Sequence, residues 1–163
     1  MRECGGCTAC CEGWLVSKTI GMQPGMPCRH KTDAGCAIYE HRPEKPCKTF
    51  LCLWKKDPEG LDEEMRPDKS GVILRNWGWR GWRTVNCIPV GQKIPEATLG
   101  KLVEYAKNLE MPLVWGERAD DYVNDPTMKK SSMGSEEFLA QVKWMSNFEE
   151  LDFMDLATGS DAE

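Results

Sequence analysis

Cys4-Gly5-Gly6-Cys7-Thr8-Ala9-Cys10-Cys11 is the stretch on which the reading of this chain turns. Three cysteines recur at two-residue gaps, and a fourth follows directly. A two-residue gap closes a tight backbone knuckle that turns both thiols toward one point. Gly5 and Gly6 ease that turn, because glycine tolerates positive φ. Cys10 and Cys11 are neighbours and so do not point the same way. They serve two sites, or one stands behind the other.

Further along, Cys28, Cys36, Cys47 and Cys52 bring eight of the nine cysteines into the first 52 residues. The same segment is rich in helix breakers, among them Gly13, Gly21, Pro24, Gly25, Pro27, Pro43 and Pro46. It can bury little apolar surface and needs another source of stability. Four plus four thiols suffice for two tetrahedral Cys4 zinc sites. They suffice equally for one iron–sulfur cluster, [4Fe–4S] included, with ligands to spare. His30 and His41 lie among these cysteines, and either can replace a thiol as ligand. Disulfides are the competing use. Nine cysteines would strand one thiol, and Met1-Arg2-Glu3-Cys4 carries no apolar signal-peptide stretch. The expectation is therefore a cytoplasmic protein whose cysteines stay reduced or hold metal. Cys87, far from the others, reads as a buried structural thiol.

The run Cys4 to Cys11 resembles the signature of the CxxCxxCC cysteine-cluster family of zinc- or iron-chelating, YkgJ-type proteins. Gly35-Cys36-Ala37-Ile38-Tyr39 is similar to the family's Gly-Cys-x-Ile-Tyr. Arg42-Pro43 followed by Cys47-Lys48-Thr49-Phe50-Leu51-Cys52 is similar to its Arg-Pro…Cys-Arg-x-Phe-x-Cys, with Lys48 where Arg is common. Arg66-Pro67-Asp68-Lys69-Ser70-Gly71-Val72 looks like a segment of some members. The resemblance spans about residues 4–90. It implies that Cys4, Cys7, Cys10, Cys11, Cys28, Cys36, Cys47 and Cys52 chelate zinc or iron. One related branch is linked to flagellin lysine methylation with an iron–sulfur cluster. Gly78-Trp79-Arg80-Gly81-Trp82 is no nucleotide loop, because bulky Trp blocks close approach of backbone to phosphate.

The rest of the chain predicts an α+β fold: an irregular cysteine-rich half packed on a short hairpin and two or three helices. Residues 1–150 form one domain, with a metal core at 4–52. Residues 53–70, with Pro58, Gly60, Pro67 and many charges, read as a surface connection. Val72-Ile73-Leu74 and Val85 to Val90 predict a hairpin over 71–90. Pro95 opens a helix over 95–110 with Leu99, Leu102, Val103 and Ala106 on one face. Residues 116–134 are polar and turn-rich. Ser135 caps a second helix over 135–148, with Phe138, Leu139, Val142 and Met145 inward.

Residues 149–163 hold six acids and no base. Removing them from the net charge of −5 leaves +1 for residues 1–148, so the acidic tail at 151–163 ends a nearly neutral body. That balance argues against a nucleic-acid partner. Trp77, Trp79 and Trp82 alternate with Arg75, Arg80 and Arg83. Such a stretch can stack bases, but it reads better as a lid of indoles over the metal core. No run is long enough to cross a membrane, and no catalytic constellation stands out. The function these features support is metal binding, chiefly structural. The alternatives are an iron–sulfur enzyme or redox protein, and a Trp/Arg adaptor for nucleic acid or protein.

Overall fold

The computed structural model describes residues 2–125 and 127–146. It has an α+β fold. Up to residue 52 the chain stays irregular, as its Gly and Pro content dictates. Beyond single turns it holds only β1 (Lys31–Thr32) and β2 (Gly35–Cys36), paired antiparallel. Two one-turn helices follow, α1 (Leu53–Lys56) and α2 (Pro67–Ser70).

Residues 53–70 are not the surface connection that their charges suggest. Leu53, Trp54, Leu61 and Met65 are all buried in the main core. The intervening Lys, Asp and Glu residues point outward and mask this spacing. Arg2 ties the segment to the start of the chain by donating to the carbonyls of Trp54, Pro58 and Leu61.

A four-stranded sheet backs this half. β3 (Val72–Trp79) and β4 (Trp82–Pro89) form the expected hairpin, with Trp79 opposite Trp82. Its two-residue turn puts Arg80 and Gly81 at φ 46° and 85°. Positive φ at both positions matches the turn to the twist of the strands. Val72, Ile73 and Leu74 are all buried, because α1 and α2 cover this end of β3. From Arg75 onward partly buried and exposed residues alternate.

α3 (Glu96–Asn108) starts after Pro95 and buries Leu102, Tyr105 and Ala106. It is the crossover to β5 (Leu113–Arg118), which runs parallel to β4, and parallel neighbours require such a connection. β6 (Met128–Met133) then returns antiparallel along β5 and completes the order β3-β4-β5-β6. These last two strands occupy much of the stretch expected to be turns. β6 reads Met-Lys-Lys-Ser-Ser-Met and has no β-branched residue. It is an edge strand, and lysines there block further strand addition.

In α4 (Glu136–Ser146) the Ser135 hydroxyl accepts from the Phe138 amide, the expected cap. Phe138 is buried, but Leu139 is exposed, so the inward face is narrower than expected. The end of the helix expected to reach 148, the Met145 side chain and the acidic tail 151–163 lie outside the described residues. Among those residues no helix is long and apolar enough to cross a membrane.

Candidate metal centre

The first knuckle is built as its glycines suggest. The Cys7 amide donates to the Cys4 carbonyl at 3.0 Å, with Gly5 at φ 54°. A 3₁₀ turn at Ala9–Cys11 follows, its Cys11 amide on the Thr8 carbonyl at 2.7 Å. Ala9 is fully buried and pins this turn to the main core. The chain then loops away through Trp14 and Ile20, and the Cys28 amide returns to the Cys11 carbonyl at 2.8 Å. The β1–β2 pair places Cys36 opposite Lys31. Cys47 lies in the turn after Pro43, and Cys52 caps α1.

These turns bring all eight predicted cysteines to one cavity of about 140 Å³. Leu15, Ile20, Met22, Ile38, Phe50 and Trp54 supply much of its remaining wall. His30 also lines it, but its Nε2 accepts from Arg29 Nε at 3.3 Å. His41 is not among the lining residues. Cys87 is buried within β4, away from the cavity, as expected of a structural thiol.

All nine cysteines are free. Burial raises the Cys7 and Cys11 thiols from an ordinary 9.0 to about 11. Burial also raises Cys10, Cys47 and Cys52, with neighbouring thiols adding to the effect. Proximity of so many potential anions opposes ionisation unless a cation is present. Among the described residues no three His, Cys, Asp or Glu side chains form a group placed to hold a metal ion. The donor set nevertheless fits one. Soft thiolates in an apolar, desolvated wall suit zinc or an iron–sulfur cluster. Binding requires the thiols to draw together.

Asp68 is the neighbour that pattern reading passed over. It lies near Cys7, and its carboxylate adds to the burial that raises this thiol's pKa. Arg66 grips the same carboxylate in two places, at 2.7 and 2.9 Å, and holds it below the usual carboxylate range. The segment Arg66 to Val72, quoted above for its resemblance, was the available signal. Arg42 stacks on Tyr39 at 3.6 Å, and both line the cavity.

The Trp-rich hairpin is not the lid expected of it. Trp79 and Trp82 pack edge-on against Phe138, at 5.7 and 5.4 Å between ring centres. Trp82 also donates to Gln141 at 2.7 Å. The hairpin tip thus docks α4, and the indole in the cavity wall is Trp54. The strand alternation that spaces these tryptophans is visible in the sequence; the helix they meet lies some 60 residues on.

Arg118, near the end of β5, is buried, and burial lowers its pKa to about 10. It donates to the carbonyls of Pro89, Gly91 and Trp14, joining the sheet to the cysteine-rich half. No family model, curated protein or solved structure matches the chain.

Proposed function

We propose that this chain binds zinc or iron through Cys4, Cys7, Cys10, Cys11, Cys28, Cys36, Cys47 and Cys52, and that the metal is chiefly structural. The observation that carries this reading is a selective convergence. Eight thiols from three separate stretches line one cavity, while the ninth, Cys87, is packed elsewhere. The resemblance of Cys4 to Cys52 to the CxxCxxCC family supports the same ligand set. Free thiols throughout suit a reducing, cytoplasmic setting.

The bound metal cross-links chain segments that have few other means of holding together. Within residues 4–52 the buried apolar side chains are only Ala9, Ile20, Met22 and the cysteines Cys28 and Cys52. Structural zinc contributes on the order of 10–16 kcal/mol to small domains of this kind. Ala9 and Cys52 seat the cavity on the main core, and Arg66 positions Asp68 beside Cys7.

The test is purification without oxygen, followed by elemental analysis and a visible spectrum. Stoichiometric metal is expected, colourless if zinc and brown if an iron–sulfur cluster. Metal content should fall when cavity cysteines are replaced and stay unchanged in Cys87→Ala. A full-length, folded protein that carries no metal and takes up neither ion would refute the proposal.

A further inference from the structure

We propose that the eight thiols divide into two four-cysteine sites, Cys4, Cys7, Cys10 and Cys52 forming one and Cys11, Cys28, Cys36 and Cys47 the other. This rests on the metal-binding reading above and specifies which ligands share an ion or cluster.

The divide falls between two consecutive residues. Cys10 and Cys11 share a 3₁₀ turn, in which successive side chains diverge by roughly 120°. Cys7 and Cys10 pack against the main core, the cluster that contains Ala9, Cys52, Leu53 and Trp54. Cys11 packs instead on a separate small cluster of Ile20, Met22 and Cys28, which Cys47 also joins. Two apolar nuclei therefore claim the two neighbouring cysteines, and each nucleus already holds further thiols of one set.

Backbone connections divide the remaining residues the same way. The turn from Cys4 to Cys7 keeps those two together. The bond from the Cys28 amide to the Cys11 carbonyl fixes Cys28 beside Cys11. The Lys31 amide then bonds the Cys28 carbonyl, and Cys36 pairs with Lys31 across β1 and β2. Cys36 is thus returned toward Cys28.

Mutual electrostatic influence among the thiols agrees. Cys10 feels Cys52 and Cys7 most strongly. Cys11 feels Cys28, Cys36 and Cys47 most strongly, and Cys47 feels Cys28 and Cys36. Cys4 acts on members of both sets, but it is the thiol that bears most on Cys52. Its turn with Cys7 assigns it to the first site. Each site then has the four soft donors that a tetrahedral ion, or one cubane cluster, requires.

Cobalt(II) is a suitable probe, because tetrathiolate coordination gives it intense visible bands. Full-length protein, stripped of metal without oxygen, is titrated with cobalt(II), and unprotected thiols are alkylated and mapped by mass spectrometry. Cys87 is shielded by its burial in β4 in every sample; wild type should take two ions, which protect all of the other eight cysteines. Cys28→Ala should take one ion and protect only Cys4, Cys7, Cys10 and Cys52. Cys7→Ala should take one ion and protect only Cys11, Cys28, Cys36 and Cys47. Half-loaded wild type gives the same information without substitution, should a variant fail to fold: each singly loaded molecule should protect one quartet or the other. A mixed quartet, more than two ions, or loss of all cobalt in a variant that keeps its sheet would overturn the division while leaving metal binding intact. Absence of any bound cobalt, zinc or iron in folded wild type would overturn the underlying reading as well.

Discussion

Replacing Phe138 with Ala isolates the contact that fastens α4 to the hairpin. The ring is 1% exposed and lies edge-on to two indoles. Truncating a buried Phe costs about 3–5 kcal/mol, and each aromatic pair adds about 0.5–1.5 kcal/mol to what area alone supplies. With two such pairs lost, the expectation is the upper part of that range, about 4–5 kcal/mol. For a protein of this size that lowers the melting temperature by roughly 8–20 °C. Urea denaturation followed by circular dichroism measures the loss, and elemental analysis of the folded variant measures its metal. Metal content should not change, because among the described residues none of α4 lines the cavity. A double-mutant cycle with Trp82→Ala should give a coupling of about 0.5–1.5 kcal/mol. A loss below about 1 kcal/mol, or metal lost from folded Phe138→Ala, would refute the assignment of the hairpin tip to α4.

Chelating the metal should abolish amide protection across residues 4–52 while β3 and β4 stay protected, and unchanged protection would show that the cysteine-rich half stands unaided. Arg118→Met should cost about 2–4 kcal/mol in a denaturant melt, since three carbonyls lose a charged donor. Arg80→Asn should gain about 0.5–1 kcal/mol, because asparagine suits the positive φ of this turn better; a loss would point to a role for the Arg80 side chain.

The cysteine-rich half was legible because its signal is local. Thiol type, two-residue gaps and adjacent glycines are all read within a few residues, and the eight cysteines do meet at one cavity. The hairpin and α3 were legible for the same reason, through strand and helix periodicity. What escaped depends on distant partners. β5 becomes a strand by pairing parallel to β4 across the whole of α3, and β6 becomes one only by lying on β5. Leu61 and Met65 looked like part of a charged loop because burial there is set by what packs above them, not by local spacing. The tryptophans were correctly placed on a hairpin, but nothing near them in sequence identifies Phe138 as their partner. Asp68 comes near Cys7 from 61 positions later, so its influence on that thiol depends on tertiary structure.

The cavity's eight thiols all precede residue 53, whereas the sheet and the core residues Leu61 and Met65 follow it. During synthesis these eight thiols therefore leave the ribosome before the sheet that backs them has emerged. At usual elongation rates of about 5–20 residues per second, residues 53–146 take roughly 5–20 seconds to appear. For that interval the nascent chain presents uncovered thiols to whatever metal or oxidant surrounds it. On the proposed metal-binding reading, the order in which the polypeptide emerges puts metal capture, or protection by a reductant, ahead of completion of the sheet.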